Sequence, residues 1–483
     1  MDIACKDLPS IGGEHGVSSV YATLDDIISF KEGSLKVTRG YPRFVMHPYL
    51  DALARITAPG CDYRWVLSSI EGARFLRDEF SPTLDIEIIE RSGCAVVAVS
   101  SAKKFAILYE DVRNTGFTLS SRRAKRILCG VNDPEKGSIE LCAAAISQLE
   151  KGSVPEHTYL FSSGMGALFA ALYSAFREEK PGAIIVGNPY VDSIQLFSKY
   201  LTRKGFSAPK VVSDALAFEK TLDDATGIVY LEVPTNPLLR VADLERIVSA
   251  AHARGIVVLV DSTIASPFNI SPFEFGADLI MHSTTKFLNG HNDHMGGVLL
   301  INPSSQLVSP ARVRDFVHRT GSVLDPEEGK ILLSHLDGFE SRMEIINRNT
   351  LLVARYLSSH PAIEHVYYPL LESHPDFDLA RKYLVRGASG VVSFTLSESS
   401  LECARLFYDN CTIPGKGPSL GAEETLLCPI TLLTYFFADD AMLQAMGLDR
   451  YLMRLSVGVE DPYVIIAQLE AGLRAIRKEI GPV

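Results

Sequence analysis

Cysteine is scarce in this sequence, with eight residues among 483. None of the eight form a Cys-x-x-Cys pair, so the pattern predicts neither a zinc ribbon nor a disulfide framework. We therefore expect reduced and mostly buried thiols. The pair His291 and His294 has no third ligand within reach in the sequence, so we expect it to be structural and predict no metal site.

Basic residues are also in deficit, because 47 Lys and Arg stand against 58 Asp and Glu and leave a net charge of −11. An acidic balance of this size argues against nucleic acid or an anionic membrane as the main partner. No apolar run approaches the roughly 18 residues of a transmembrane helix. The first ten residues lack the basic and apolar regions of a secretory signal. These absences predict a cytoplasmic protein without a membrane or nucleic-acid partner.

The middle of the chain contains short apolar runs in which polar residues do not alternate. They cover residues 158–161, 183–186, 227–231, 255–260 and 278–281. Such runs are typical of strands buried on both faces of a parallel sheet. The helical patterns between them indicate repeated βαβ units, so we predict an α/β fold with a mostly parallel central sheet.

The pattern changes after residue 335. A long helix is predicted at about 336–359, a strand at 390–396 and a final amphipathic helix at about 461–477. We therefore expect an N-terminal arm over residues 1–60, a large domain over 61–335 and a smaller C-terminal α+β domain over 336–483. Residues 61–130 form an additional region of the large domain, and the sequence does not indicate its role.

A glycine-containing turn at residues 162–166 separates a predicted strand from a helix. Free backbone N–H groups and the helix dipole make such a turn an anion site, and Gly164 lets the backbone approach a phosphate closely. The plain alternative is a capped helix start. A dinucleotide-binding fingerprint is disfavoured, because Phe169 stands where its third small residue belongs.

Two further residues follow predicted strands, at the edge where an open α/β sheet binds its ligands. Asp261 ends one buried strand, and a carboxylate there needs a cationic or hydrogen-bonded partner, such as a pyridinium nitrogen. Lys286 follows the next strand in the segment His282-Ser283-Thr284-Thr285-Lys286. An amine beside hydroxyls suits covalent attachment of pyridoxal phosphate. Taken singly, Asp261 could be a helix cap and Lys286 a surface lysine; together with the glycine turn they favour the cofactor.

The segment from Asp261 to His291 closely resembles the signature of the cysteine/methionine-metabolism group of pyridoxal-phosphate enzymes. The resemblance extends from about Gly40 to the C-terminus. The stretches Gly40–Phe44 and 120–122 resemble the fungal cystathionine γ-synthase-like branch. The resemblance implies fold type I, the aspartate aminotransferase-like fold. It also implies a homodimer or homotetramer whose active sites are shared between two subunits.

The resemblance further implies a role for each matching residue. Lys286 matches the lysine that binds the cofactor covalently, and Asp261 the partner of its pyridine nitrogen. The phosphate is expected on Gly164, Met165, Ser283 and Thr285, with Tyr41 and Arg43 reaching it from the neighbouring subunit. Tyr190 matches the tyrosine that stacks on the ring and assists catalysis, and Asn236 the asparagine near the phenolic oxygen. Arg454 and Ser419 match the residues that bind the substrate carboxylate.

The activity implied is γ-substitution on an O-acyl-L-homoserine, expected as the O-acetyl ester, through a vinylglycine-type intermediate. Cysteine as the nucleophile would give cystathionine. Val191, Asp192 and Ser193 stand where the family commonly has two glycines and a threonine, which leaves the nucleophile open. A carbon or nitrogen nucleophile in secondary metabolism and a cystathionine or methionine lyase remain alternatives. A cofactor-free scaffold is disfavoured, because the site residues are intact.

Overall fold

A small antiparallel sheet lies within residues 61–130, the region for which the sequence indicates no role. The structure is a computed structural model that describes residues 15–16, 21–35, 37, 40–134 and 137–480, with side chains through 477. The first elements are α1 (Leu24–Lys31), α2 (Pro48–Thr57), β1 (Arg64–Leu67), α3 (Ile70–Phe75), β2 (Glu87–Arg91), β3 (Cys94–Ala98), α4 (Ala102–Thr115) and α5 (Ser121–Cys129). The strand order is β1-β3-β2. The predicted arm of residues 1–60 lies only partly within the described ranges.

The apolar runs of the middle region form a seven-stranded sheet. Its elements are α6 (Gly137–Leu149), β4 (Thr158–Phe161), α7 (Gly164–Ala175), β5 (Gly182–Val186), α8 (Val191–Arg203), β6 (Lys210–Val212), α9 (Ala215–Thr221), β7 (Thr226–Glu232), α10 (Leu244–His252), β8 (Val257–Asp261), α11 (Ser266–Asn269), β9 (Leu279–His282), β10 (Gly297–Ile301), α12 (Pro310–Thr320) and α13 (Pro326–Leu336). The order is β4-β10-β9-β8-β7-β5-β6, and β10 runs antiparallel to both neighbours. The predicted α/β class with a mostly parallel sheet is confirmed.

Both faces of this sheet are covered, which explains why its strands lack polar alternation. On β5, Ile184 and Val186 belong to one hydrophobic core, whereas Ala183 and Ile185 belong to another. The second core includes the apolar side chains of α7, and this helix is buried from Met165 onward. The carboxyl ends of β7, β8 and β9 therefore lie side by side at one protected edge.

The C-terminal region adds a five-stranded sheet and its helices. These elements are α14 (Phe339–Ser358), β11 (Ile363–Tyr367), α15 (Phe377–Tyr383), β12 (Val391–Leu396), α16 (Leu401–Asn410), β13 (Gly415–Lys416), β14 (Leu426–Pro429), α17 (Ile430–Thr434), α18 (Asp440–Ala445), β15 (Met453–Ser456) and α19 (Pro462–Ile480). The order is β11-β12-β15-β14-β13, which puts β15 at the centre of this sheet. Within the described ranges, no helix is both long and apolar enough to cross a membrane.

Candidate active site

A cavity of about 500 Å³ opens at the edge where β7, β8 and β9 end. Ten of the residues predicted from the sequence line it, namely Tyr41, Arg43, Gly164, Met165, Tyr190, Asn236, Asp261, Ser283, Lys286 and Arg454. Two further predicted residues contact the neighbourhood of this cavity: Ser419 hydrogen-bonds to Lys286, and Thr285 hydrogen-bonds to Gly296. The fold thus brings together residues that are more than 400 positions apart in the sequence.

Lys286 follows β9 and projects its amine into this cavity. Its Nζ donates a hydrogen bond to Ser419 Oγ at 3.1 Å and lies 4.7 Å from the centre of the Tyr41 ring. Burial lowers the pKa of Lys286 well below its ordinary value, and the nearby charges of Arg454 and Arg43 act in the same direction. A lysine whose pKa is lowered in this way loses its proton more readily, and the free amine is a nucleophile for a carbonyl carbon and a base for a carbon acid.

Asp261 and Glu232 end neighbouring strands and are paired in the sheet register. Asp261 Oδ1 accepts the backbone N–H of Thr263 at 2.9 Å. Burial raises the pKa of both carboxyls, and the charge of Asp261 raises that of Glu232 further. A cation beside Asp261 would favour its ionised form and offset the effect of burial. A protonated pyridine nitrogen would be such a cation.

Glu232 was not predicted from the sequence, because it reads only as the end of an apolar strand. Its carboxylate accepts the backbone N–H of Tyr190 at 2.7 Å and that of Asn236 at 3.3 Å, as well as the Tyr230 hydroxyl at 3.2 Å. Two predicted site residues are thus held in place by one buried carboxyl group. Glu232 positions the residues around the predicted ring-binding region.

The turn before α7 has the close packing expected of a phosphate-binding site. Ser163 caps the helix by accepting the Gly166 N–H at 3.0 Å. A Cβ on Gly164 would lie 2.8 Å from the Ser283 Cβ, so only glycine allows the two loops to approach this closely. Thr285 is deeper, where its hydroxyl donates to the Gly296 carbonyl at 3.2 Å.

Arg454 on β15 lines the cavity, and three hydrogen bonds fix its guanidinium group. Its Nη2 donates to the carbonyls of Pro418 and Ser419 at 2.6 and 3.1 Å, and its Nη1 to Asn236 Oδ1 at 3.1 Å. The side chain is almost fully buried, with 2% exposure. A fixed guanidinium beside an amide is a suitable partner for a carboxylate.

Asp192 explains one departure from the family pattern. It is fully buried and accepts hydrogen bonds from Arg43 Nη2 at 2.6 Å, Arg113 Nη2 at 2.7 Å and the Tyr190 hydroxyl at 3.0 Å. Burial alone would raise the pKa of Asp192, but the two arginines hold it below its ordinary value. Burial and the Asp192 charge raise the pKa of Tyr190, so its phenol stays protonated. Arg113 was missed because it lies 79 residues from Asp192 in the sequence.

Tyr41 and Arg43 line the cavity of their own chain, whereas the resemblance implies that they reach the neighbouring subunit. Residues 41–47 lead directly into α2, and Arg43 bonds Arg113 and Asp192 of the same chain. The Nε of Arg43 is buried without a hydrogen-bond partner among the described residues. A donor without a partner, in the cavity that Gly164 also lines, fits a phosphate group.

These features together define a class of protein. A buried lysine with a lowered pKa, a carboxylate that needs a cationic partner and a close-packed turn in the same cavity as an arginine fit pyridoxal 5'-phosphate in each of its parts. The chain is therefore a pyridoxal-phosphate enzyme of the aspartate aminotransferase-like fold. The family model described as "Cys/Met metabolism PLP-dependent enzyme" matches residues 136–474, so the chain belongs to that family.

Similar proteins include both lyases and synthases. The chain is 34% identical to an L-methionine gamma-lyase from Fusobacterium nucleatum subsp. polymorphum, covering 76% of this chain and 91% of that protein. It is 32% identical to cystathionine gamma-synthase 1, chloroplastic, from Nicotiana tabacum, over 63% and 56% of the two chains.

Solved structures agree with this family assignment. Cystathionine gamma synthase from Xanthomonas oryzae pv. oryzae in complex with cystathionine superposes with a TM-score of 0.66 at 29% identity, covering 71% of this chain and 87% of that one. A putative O-acetylhomoserine (thiol)-lyase from Campylobacter jejuni, TM-score 0.63 and 25% identity, carries a pyridoxyl-lysine-5'-monophosphate; the match covers 70% of this chain and 86% of that one. The cofactor of this family is pyridoxal 5'-phosphate.

Proposed function

We propose that the protein catalyses γ-substitution on an O-acyl-L-homoserine, with the O-acetyl ester as the substrate and cysteine as the nucleophile. The product is then cystathionine. The observation that carries the proposal is the placement of the buried Lys286 amine, whose pKa is lowered, and the hydrogen-bonded Arg454 guanidinium in one cavity with Tyr190. Arg454 binds the substrate α-carboxylate, and Asn236 keeps the guanidinium in position.

Lys286 is the residue placed to move protons. The bound cofactor supplies the electron sink that makes the protons on Cα and Cβ acidic. Lys286 removes the Cα proton and then a Cβ proton, and Ser419 orients its amine. Loss of the Cβ proton supplies the electron pair with which the Cγ–O bond breaks, and the acyl group leaves as a carboxylate. The sulfur of cysteine then forms the new bond to Cγ and gives up its thiol proton, and Lys286 returns protons to Cβ and Cα.

Tyr190 acts as a hydrogen-bond donor rather than as a base. Its hydroxyl donates to Asp192, and the carboxylate charge there opposes loss of the phenolic proton. This leaves Lys286 as the base for both the Cα and the Cβ proton.

Product analysis by mass spectrometry tests the proposal. The purified protein with pyridoxal phosphate is given O-acetyl-L-homoserine, with and without cysteine. We expect cystathionine only when cysteine is present, and no product from Lys286→Ala. Formation of 2-oxobutanoate without cystathionine would show that cysteine is the wrong partner.

A lyase is the second candidate, because curated lyases are among the relatives at 30–34% identity. The same assay with L-cystathionine or L-methionine as the sole substrate distinguishes it. Release of 2-oxobutanoate from either one, faster than cystathionine forms from the ester, would favour the lyase.

A different nucleophile in secondary metabolism is favoured by aromatic side chains in the cavity lining. Phe437 among them is 81% exposed. They are Phe30, Phe44, Tyr109, Tyr435 and Phe437. An apolar carbon acid or amine suits this lining, and a competition assay against cysteine tests it.

We also propose a cytoplasmic homodimer or homotetramer, as the resemblance implies. Sedimentation of the purified protein tests the assembly. A fully active monomer would contradict it.

A further inference from the structure

A row of hydrogen-bonded side chains leads from the loop that carries Lys286 to helix α13. The Thr284 hydroxyl lies 2.9 Å from His294 Nε2, and His294 Nδ1 lies 3.0 Å from Glu328 Oε2. These three residues are buried, with at most 2% exposure. They do not line the cavity, so they do not act on a substrate directly.

Glu328 sets the direction of these hydrogen bonds. Burial alone would raise the pKa of Glu328, but the hydrogen bond with His294 and the charge of Arg122 hold it below its ordinary value. An ionised carboxylate only accepts hydrogen bonds, so His294 Nδ1 is the donor to Glu328. In the neutral ring Nε2 is then an acceptor, and the Thr284 hydroxyl donates to it.

Arg122 holds the same region from the other side. Its Nη1 pairs with Glu328 Oε1 at 2.9 Å and donates to the Asp293 carbonyl at 2.6 Å, one residue before His294. Arg122 belongs to α5, within the additional region of residues 61–130. The additional region therefore contacts both the residue that orients His294 and the backbone beside it.

A second buried ion cluster ties the additional region to α8. Asp111 of α4 is fully buried and bonds Lys199 and Arg203 at 3.0 and 2.9 Å. Removal of one partner from a buried ion pair is strongly destabilising. Substitution of Arg122 or Asp111 should therefore lower the stability of the whole region, and a test of His294 must leave both residues in place.

Thr284 is the link between His294 and the cavity. The Asn289 N–H donates to the Thr284 carbonyl at 3.1 Å, and the Lys286 N–H donates to the Ser283 carbonyl at 3.2 Å. These bonds close the loop into a turn. A displacement of Thr284 must therefore move Ser283 and Lys286, which both line the cavity.

Gly296 allows the close approach of His294 to this loop. A Cβ at this position would lie 2.5 Å from Thr284 Oγ1 and 2.7 Å from His294 Nε2. The Gly296 N–H also donates to Thr285 Oγ1 at 3.1 Å. Residues 294–296 therefore contact both threonines of the loop.

We propose that His294 is a positioning residue of the cofactor site. Oriented by Glu328, it fixes the Thr284 hydroxyl and thereby the loop 283–286, which is expected to bind the cofactor phosphate and to carry Lys286. This role rests on the part proposed for the loop in cofactor binding. It does not depend on which nucleophile the enzyme uses.

Removal of the Thr284 hydroxyl tests this role with the least change of shape. Thr284→Val should raise the dissociation constant of pyridoxal phosphate about tenfold, and Thr284→Ser, which keeps a hydroxyl, should stay closer to the wild type. The dissociation constant is measured by titration of the apoprotein, followed by absorbance. An unchanged cofactor affinity in Thr284→Val would overturn the proposal.

A double-variant cycle determines whether His294 acts through Thr284. His294→Leu should weaken cofactor binding by a similar factor, and the variant with both His294→Leu and Thr284→Val should bind no more weakly than the weaker single variant. Losses that multiply in the double variant would overturn the proposal. If His294→Leu does not fold, His294→Asn replaces it, because the shorter amide reaches the position of Nδ1 but not that of Nε2.

His360→Leu is the matched control. His360 is 8% exposed, its Nε2 lies 3.3 Å from Glu470 Oε2, and neither residue lines the cavity. Its loss should lower the melting temperature and leave the cofactor affinity unchanged. If cofactor binding weakened in His360→Leu as much as in His294→Leu, general destabilisation would explain the effect and the proposal would fail.

Lys286→Ala separates failure of this role from failure of the site itself. If Lys286→Ala weakens cofactor binding whereas Thr284→Val does not, the loop belongs to the site and only the role of His294 is wrong. If Lys286→Ala binds pyridoxal phosphate as the wild type does, the loop has no part in binding, and both assignments are wrong.

Discussion

The two sides of the active-site cavity differ in how they are built. Lys286 and Asp261 are attached to the ends of buried parallel strands of the central sheet. On the other side, Arg43 and Arg113 come from residues 40–130, which we call the N-terminal subdomain, and meet at Asp192. The strand ends carry the groups that define the cofactor chemistry. On the subdomain side, the carboxylate of Asp192 holds both arginines. Substitutions on the two sides should therefore differ in kind: loss of chemistry on one, loss of affinity and stability on the other.

The largest expected effect is that of Lys286→Ala. Removal of the amine eliminates both the covalent attachment point and the base, so turnover should fall at least about a thousandfold. Steady-state kinetics and cofactor absorbance measure it. The melting temperature should hold near that of the wild-type apoprotein, and substantial turnover in this variant would refute the assignment of Lys286.

The next largest effect is expected from Asp261→Asn. A neutral amide cannot stabilise a protonated pyridine nitrogen, so kcat should fall about a hundredfold. Asp261→Glu keeps the charge and is the matched control. Equal activity of the Asn variant and the wild type would show that Asp261 has no electrostatic role.

Asp192→Asn tests the subdomain side. It leaves two partly buried guanidinium groups with a weaker partner, which should cost about 2–3 kcal/mol of unfolding free energy. Urea unfolding measures this. Asp133→Asn removes an ion pair that is about half-exposed and should cost much less, at most about 1 kcal/mol. Equal losses of unfolding free energy in the two variants would contradict the inference that Asp192 holds the two arginines in place.

The smallest effect concerns Glu232 and pH. Because burial and Asp261 raise its pKa in the folded apoprotein, its contribution to stability is fully present below the ordinary glutamate pKa. That contribution is lost as the pH rises through the raised value. Glu232→Gln cannot ionise, so its apoprotein should lose less stability between pH 5 and 9, by about 1 kcal/mol. Parallel pH profiles of wild type and variant would exclude this role.

Much of the central sheet could be predicted, since strands buried on both faces appear as uninterrupted apolar runs. The runs at 183–186 and 227–231 each fall within one residue of β5 and β7. The long helix predicted at about 336–359 is α14, Phe339–Ser358, which begins three residues later because Gly338 separates it from α13. The small sheet was not predicted, because its edge strand β2 is largely exposed and shows no clear apolar pattern.

The same contrast applies to the site. Lys286, Asp261 and Gly164 follow strands directly, so their positions could be inferred from local patterns. Arg113 and Asp192 gain their importance only by meeting across 79 residues of chain. A lone arginine on an amphipathic helix has no sequence signal that distinguishes it from a solvated one.

The contact between α4 and α8 has a consequence for synthesis of the chain. The subdomain leaves the ribosome before α8, with Asp111 and the apolar residues Leu108 and Val112 still uncovered. The residues of α8 that cover them, including Phe197, are made about 90 residues later. The subdomain therefore cannot complete its packing until this long-range contact has formed. A nascent chain stalled before α8 has emerged should therefore be cut by protease within residues 40–130, and one stalled well after it should be protected.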